Sequence, residues 1–262
     1  MPASASLDEQ PSRTYYPTWM RRKFRLDAVA KGKAQYDTVA SQLRQQVIAS
    51  AFWTSLRGQM ETIEADYRLA TDFDLVAAQF PDVLTKGWER FLEKTYRHNV
   101  IDNMAWPEEP PEGWLKPPGW FSSVKDVVRT MFVVKYMDGV DHLGVWLERI
   151  ATDNGLEVHS KLMNTEYGYY AAHVVVTLPL NVTLATWDVT TLHVPFEIQV
   201  TTQLQEGIRR LIHEHYETSQ AEGLPENWRW SYNERPFAAN YLGHILHYIE
   251  GQIMRVREGR TQ

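Results

Sequence analysis

The pattern of apolar positions divides the chain into a helical first part and a later part that mixes strands and helices. In the first part, apolar side chains recur at spacings of three and four, as on one buried helix face: Tyr36, Val39, Leu43, Val47 and Ile48. This spacing predicts helix from about 26 to 68, with Gly58 as the point where it breaks into two helices. Another helix is predicted over roughly 85–99.

Four apolar, β-rich runs follow, at 127–137, 169–180, 181–190 and 192–202, and each is predicted to be a strand. A helical pattern that ends at Gly155 separates the first strand from the other three. The order of strand, helix, three strands and helix indicates an α+β fold built on a mixed β-sheet flanked by helices.

A helix over 240–257 closes the chain. We expect its apolar side chains to face inward: Leu242, Ile245, Leu246, Ile249 and Ile253. His244 and His247 share one face of this helix, but the chain has no cysteine to join them, which argues against a zinc site.

Three parts are expected in the chain: a disordered or extended tail over 1–25, a helical extension over 26–84, and a domain over 85–262 that ends in the C-terminal helix. A loop over 105–120 holds five prolines in sixteen residues, which excludes helix and central strand there.

Composition narrows the function classes. The formal net charge of −6 argues against indiscriminate binding to nucleic acid, which needs a broad cationic surface. No apolar run approaches the 18 residues of a membrane span. The absence of cysteine and of an apolar leader segment leads us to expect a cytoplasmic protein.

Two acids are candidates for chemistry because of their positions in the predicted strands. Asp126 immediately precedes the first strand, and Glu197 lies inside the fourth, between Phe196 and Ile198. If these strands are neighbours, the two carboxylates can hold Mg²⁺, a cation that takes one or two carboxylates together with substrate phosphates. The alternatives are a solvated acid at the start of a strand for Asp126 and a polar sheet face for Glu197.

Tyr169, Ala171 and His173 share one face of the second predicted strand, since side chains alternate along a strand. A tyrosine ring on an accessible face can stack on a nucleobase. Cross-strand aromatic packing is the alternative explanation for the same ring.

These motifs resemble the synthetase domain of the RelA/SpoT family. Gly168, Tyr169 and His173 match its Gly-Tyr-x-x-x-His motif, residues 197–199 match its Glu-Ile-Gln motif, and Asp126 matches the acid that opens an earlier strand. The resemblance covers about 86–217, half of the chain, and is closest to a divergent small alarmone synthetase, toxic ones included. It implies a nucleotidyltransferase-like fold.

The resemblance also implies a reaction, the transfer of the β,γ-diphosphate of ATP to a ribose hydroxyl of a second nucleotide. Asp126 and Glu197 would bind Mg²⁺, and Glu197 would alternatively take the proton of the attacking hydroxyl. Tyr169 would stack on the acceptor base, while His173 and Gln199 would position phosphate or ribose.

Cationic side chains before the first strand are candidates for binding the ATP phosphates. Lys86 and Lys94 lie eight residues apart, so on one helix both amines would face one side. Arg97 and Arg129 are further candidates for substrate binding. A solvated helix face is an alternative explanation for the lysines.

The sequence departs from the family pattern at Leu84, Arg90, Met131, Ala171 and Thr201. The acceptor therefore stays open between GDP or GTP, an adenine nucleotide, and the 3′ end of tRNA. A non-catalytic nucleotide- or RNA-binding module on the same fold is the rival class. The resemblance to toxic members also raises an antitoxin protein as a partner, and a homo-oligomer stays open.

Overall fold

The computed structural model describes residues 9–25, 29–117, 119–165, 168–183, 189–209, 227, 229–233 and 235–259. Within these ranges the chain forms a five-stranded sheet and a set of helices, which is the α+β class predicted from the sequence. No helix among these residues is long and apolar enough to cross a membrane.

The strands are β1 (Leu84–Thr85), β2 (Val128–Val134), β3 (Glu157–Asn164), β4 (Tyr170–Thr183) and β5 (Val189–Thr202). Their order across the sheet is β1-β2-β5-β4-β3. The short β1 pairs antiparallel with β2, and Leu84 lies opposite Arg129. This order makes β2 and β5, the strands associated with Asp126 and Glu197, direct neighbours.

The helices are α1 (Tyr16–Phe24), α2 (Val29–Ala49), α3 (Ala51–Thr71), α4 (Trp88–Tyr96), α5 (Trp120–Ser123), α6 (Met137–Asp153) and α8 (Arg235–Glu258). Helix α7 follows β5 and is described over 203–209. A π-helical turn at Arg97–Ile101 continues α4.

Two compact units divide the chain. The first comprises Met1–Ser50, Val83–Arg129 and Thr177–Glu197, and in it α2 packs against α1, α4 and β1. The second comprises Ala51–Asp82, Thr130–Val176 and Ile198–Gln262, and in it α6 packs against α3, β3 and α8. Strands β2, β4 and β5 each contribute residues to both units.

The expected tail over 1–25 is wrong for residues 16–24, which form α1; residues 1–8 lie outside the described ranges. Tyr16 and Trp19 are each 1% exposed, so this helix buries one apolar face. The Trp19 ring meets Trp106 and Trp114 of the proline-rich loop at centroid distances of 5.2 and 5.8 Å. Aromatic packing with a distant loop therefore orders a segment whose polar composition suggested disorder.

The helical break predicted at Gly58 lies instead at Ser50, between α2 and α3. Glycine costs a helix interior only about 1 kcal/mol. Buried Trp53, Leu56 and Ile63 on either side of Gly58 outweigh that cost. At Ser50, the backbone N–H and the hydroxyl both donate to the Val47 carbonyl, at 3.1 and 2.7 Å, and this turn ends α2.

The strand predicted over 181–190 is not a separate strand. Residues 181–183 extend β4, residues 189–190 begin β5, and 184–188 lie outside the described residues. A strand that the sequence pattern did not predict, β3, lies after α6 at Glu157–Asn164. Most of its side chains are exposed, so it lacks the apolar run that marks the other strands.

The apolar side chains expected to face inward on α8 are largely exposed, for example 52% for Ile245 and 40% for Ile249. The buried stripe of this helix is instead formed by Gly243, Glu250 and Arg257. The reversal has a physical cause, because the surface that α8 covers offers hydrogen-bonding partners and a close backbone contact.

Two glycines of α6 test the packing of this helix in the second unit. A Cβ at Gly139 would lie 2.9 Å from Leu75 Cδ1 and 3.2 Å from Val134 Cβ, whereas a Cβ at Gly144 would meet nothing within 4 Å. We expect Gly139→Ala to destabilise the protein by about 1–3 kcal/mol through overpacking. Gly144→Ala should stabilise it by roughly 0.5–1 kcal/mol. Urea denaturation of both variants measures this, and equal effects would contradict the packing described.

Candidate active site

A buried carboxylate held by two lysines is the centre of the candidate site. Asp126 is 7% exposed and lies two residues before β2. Its Oδ2 accepts a hydrogen bond from Lys86 Nζ at 2.5 Å, and its Oδ1 accepts one from Lys94 Nζ at 2.8 Å. The alternative of a solvated acid is therefore wrong. Both lysine ammonium groups lie on this one carboxylate, whereas the sequence predicted only that they would share one helix face.

The route by which the lysines converge differs from the prediction. Helix α4 begins at Trp88, so Lys94 lies on it but Lys86 lies in the connection from β1. The Lys86 backbone N–H donates to the Val127 carbonyl at 2.9 Å, and its carbonyl accepts from the Tyr36 hydroxyl at 2.7 Å. The Lys86 side chain is only 11% exposed, which excludes a solvated helix face for this residue.

Burial opposes ionisation of Asp126, but the charges of Lys94 and Lys86 outweigh it and lower the pKa of this carboxyl to about 2. The carboxylate therefore stays ionised throughout the physiological pH range. Burial lowers the pKa of Lys86 in spite of Asp126, because Lys94 and Arg129 are nearby cations that act in the same direction as burial. The positive charges around Asp126 thus outnumber its single negative charge. This excess of positive charge attracts a further anion.

Glu197 lies on β5 and is 8% exposed, and its neighbours Phe196 and Ile198 are fully buried. The strand therefore does not alternate between buried and exposed side chains here, and the interpretation of a wet sheet face for Glu197 is wrong. The expected adjacency of its strand to that of Asp126 is confirmed by the sheet order. A buried acid on a central strand is costly to keep unless it has a function or a partner.

The remaining cations of the first unit are more exposed. Arg97 begins the π-helical turn, its side chain is 40% exposed, and its Nε lies 3.8 Å from Asp102 Oδ2. Arg129 is half-buried on β2. Its charge lowers the pKa of Lys86, so it lies close to the ammonium of that residue. Arg97 and Arg129 stay predictions as substrate-binding residues.

In the second unit, the Gly-Tyr-x-x-x-His motif forms the start of β4. Gly168 has a φ of +70°, a conformation that glycine adopts without strain. Tyr169 and His173 are both half-buried, and the Tyr169 hydroxyl shares a hydrogen bond with His173 Nε2 at 3.1 Å. The predicted shared face of these two side chains is therefore confirmed. Gln199 is half-buried on β5.

An ion pair that the sequence analysis did not predict lies just after the Glu-Ile-Gln motif. Arg209 on α7 donates to both carboxylate oxygens of Glu206, at 2.6 and 3.1 Å, and Glu206 is 5% exposed. The Glu206 hydrogen bonds raise the pKa of Arg209, and Tyr169 adds to this shift at short range. The i, i+3 spacing of an acid and an arginine was a sequence signal for this pair.

The donor chemistry of the first unit fits Mg²⁺. Carboxylate oxygens are the ligands that this ion prefers, and in the structure the two oxygens of Asp126 are paired with Lys86 and Lys94. Lys94, whose side chain is 44% exposed, has room to move away from the carboxylate. Among the residues that the structure describes, no cluster of three or more acidic or histidine side chains is placed to hold a metal.

Comparisons with known proteins identify the fold. A GTP pyrophosphokinase family protein from Streptococcus pneumoniae has 16% sequence identity and a TM-score of 0.53, over 88% of this chain and 93% of that one. Small alarmone synthetase 1 from Bacillus subtilis, bound to its product pppGpp, has 14% identity and a TM-score of 0.51, over 89% of this chain and 98% of that one.

No protein-family model matches the sequence, and no curated protein matches it significantly. The structural likeness shows that the chain has the fold of the small alarmone synthetases, as its motifs predicted. At this level of identity, the likeness establishes the fold and leaves the activity to be argued from the site.

The buried ion pair predicts a pH-dependent loss of stability in Asp126→Asn. Because folding lowers the pKa of Asp126 from 3.8 to about 2, its contribution of roughly 2 kcal/mol is present above about pH 4 and is lost as pH falls through about 2. Urea denaturation should therefore show a stability difference between wild type and variant at neutral pH that shrinks on acidification.

Asp74→Asn is the matched control, because Asp74 also pairs with two cations, Arg68 and Lys135, but its side chain is 48% exposed. Its effect should be smaller, since water screens exposed pairs. Equal losses in the two variants would show that burial of Asp126 does not strengthen its ion pairs.

Proposed function

We propose that this protein is a Mg²⁺-dependent pyrophosphokinase that transfers the β,γ-diphosphate of ATP to a ribose hydroxyl of a nucleotide acceptor. The observation that carries the proposal is the ionised Asp126 with Lys86 and Lys94 on its two oxygens. The fold of the small alarmone synthetases supports it.

The donor side of the reaction is assigned to Asp126 and the residues named with it below. Diphosphate transfer depends mainly on positioning the phosphates and neutralising their charge. Asp126 and Glu197 are the residues that would hold Mg²⁺, which would neutralise charge on the phosphate oxygens. Lys86 and Lys94 bind the phosphates of ATP, and Lys94 is the more exposed of the two. Arg97 and Arg129 add positive charge on this side.

As an alternative to holding Mg²⁺, Glu197 is the candidate catalytic base. This residue is 8% exposed and lies on the strand next to that of Asp126. In this role it takes the proton of the ribose hydroxyl as that oxygen attacks the β-phosphorus of ATP. The bond between the α- and β-phosphates breaks, AMP leaves, and the diphosphate is joined to the acceptor ribose.

The acceptor side is assigned to Tyr169, which stacks on the base, and to His173 and Gln199, which position phosphate or ribose. The hydrogen bond between Tyr169 and His173 holds the phenol ring at a defined angle. A ring held in place loses little entropy when a base stacks on it.

Two departures from the family pattern have structural explanations that leave the acceptor open. Thr201 is 1% exposed, and its hydroxyl donates to the Tyr170 carbonyl at 3.1 Å within the sheet. Ala171 is 6% exposed. GDP or GTP, an adenine nucleotide and the 3′ end of tRNA are therefore all acceptors to test.

Substitution of the two acids tests the proposal. Asp126→Asn and Glu197→Gln should each lower AMP release by about 100-fold or more, because charge neutralisation and proton acceptance are both lost. Lys94→Met should mainly raise the KM for ATP, by about tenfold, as one phosphate contact is removed. Lys125→Met changes an exposed lysine next to Asp126 and is the matched control. It should leave the rate of AMP release and the KM for ATP unchanged.

The assay supplies Mg²⁺, ATP and a panel of guanine nucleotides, adenine nucleotides and tRNA, with circular dichroism confirming that each variant is folded. AMP formation by the wild-type protein and its loss in both acid variants would support the proposal. A thermal shift on nucleotide addition with ATP intact would instead identify a non-catalytic binding module. Undiminished AMP release in Glu197→Gln would exclude Glu197 as the base.

A further inference from the structure

The two histidines of α8 contact the tyrosine that follows the candidate acceptor-binding residue. The Tyr170 hydroxyl shares a hydrogen bond with His244 Nδ1 at 2.8 Å. The imidazole of His247 lies flat on the Tyr170 ring, with a centroid distance of 3.6 Å and an interplanar angle of 5°. The i, i+3 spacing of the two histidines thus places both rings on one tyrosine.

A close backbone contact accompanies these side-chain contacts. A Cβ built at Gly243 would lie 2.2 Å from the Gly168 carbonyl oxygen and 2.9 Å from its Cα. Only glycine at position 243 allows α8 to approach the chain this closely. The backbone of the Gly-Tyr motif is therefore in direct contact with the C-terminal helix.

A buried carboxylate fixes the same face of α8 to the end of β5 and the start of α7. Glu250 is 4% exposed and accepts hydrogen bonds from the Thr202 hydroxyl and, at 3.4 Å, from Gln205 Nε2. His247 Nδ1 lies 3.7 Å from Glu250 Oε2. Burial lowers the pKa of His247, and the neighbouring His244 acts in the same direction.

We propose that α8 is a positioning element for the acceptor. Gly243, His244 and His247 fix the backbone over 168–170 and thereby set the direction of the Tyr169 ring. Tyr169 lies between two anchored residues, because Gly168 contacts Gly243 and Tyr170 contacts both histidines. This inference rests on the proposed function for the role of Tyr169, whereas the anchoring itself does not.

Gly243→Ala tests the inference, with Gly251→Ala on the same helix as the matched control, since a Cβ there would meet nothing within 4 Å. In Gly243→Ala we expect amide hydrogen exchange over 168–173 to accelerate about tenfold, because the helix must move away from the strand. The KM for the acceptor should rise about tenfold while the KM for ATP changes less than about twofold. Gly251→Ala should match the wild type in all three measurements.

A second pair of variants applies if Gly243→Ala does not fold. His247→Ala removes the stacked ring and should reproduce the faster exchange and the higher acceptor KM. His247→Phe keeps a flat ring on Tyr170 and should restore both values towards the wild type. A merely structural role for His247 would lower stability without separating the two KM values.

The outcomes separate this inference from the proposed function. If the wild type transfers no diphosphate, the proposed function fails, and the hydrogen-exchange comparison still decides whether α8 anchors residues 168–170. Faster exchange with an unchanged acceptor KM would overturn the positioning role. Equal exchange in Gly243→Ala and Gly251→Ala would overturn the anchoring as well.

Discussion

The ion pair between buried Asp126 and two lysines is the interaction on which the account of this protein depends. It ties the start of β2 to the β1–α4 connection through Lys86 and to α4 itself through Lys94. A buried carboxylate is tolerable in a folded protein only when its charge is matched. The same match leaves extra cationic charge around one acid, which is what a polyphosphate donor requires. One arrangement therefore serves both stability and the proposed chemistry.

Polar contacts also organise α8, although this helix is rich in apolar residues. Its buried face carries Glu250 and Arg257, and Arg257 donates to both carboxylate oxygens of Asp138, at 3.0 and 3.1 Å. The Arg257 guanidinium also lies 4.2 Å from the Phe73 ring centroid and 4.3 Å from that of Tyr136. These contacts are directional, so they define the position of the helix along its axis more narrowly than apolar packing would.

The sequence predicted the features that depend on the spacing of residues close together in the chain. Strand β2 and the helix face of Tyr36 and Leu43 follow from apolar periodicity, and the motifs around Gly168 and Glu197 predicted the fold. The sequence predicted that Lys86 and Lys94 would share one helix face, but Lys86 lies in the strand-to-helix connection, and the pairing of both lysines with Asp126 was not predicted.

The features that the sequence did not predict depend on partners far away in the chain. Helix α1 is ordered by aromatic contacts with a loop some ninety positions later, for example between Trp19 and Trp106. The inward stripe of α8 is polar because its partners are Asp138, Thr202 and Tyr170. A hydrophobic pattern cannot identify such a face. The pattern indicates which apolar residues are buried, but it does not indicate which polar side chains form hydrogen bonds with each other.

The fate of isotopic label in ATP tests the central claim most directly. ATP labelled separately at the α-, β- and γ-phosphates would be incubated with the protein, Mg²⁺ and the acceptor panel. The account predicts that the β and γ labels move together onto one acceptor while the α label is recovered in AMP. Transfer of the γ label alone, with formation of ADP, or recovery of all three labels in intact ATP would contradict it.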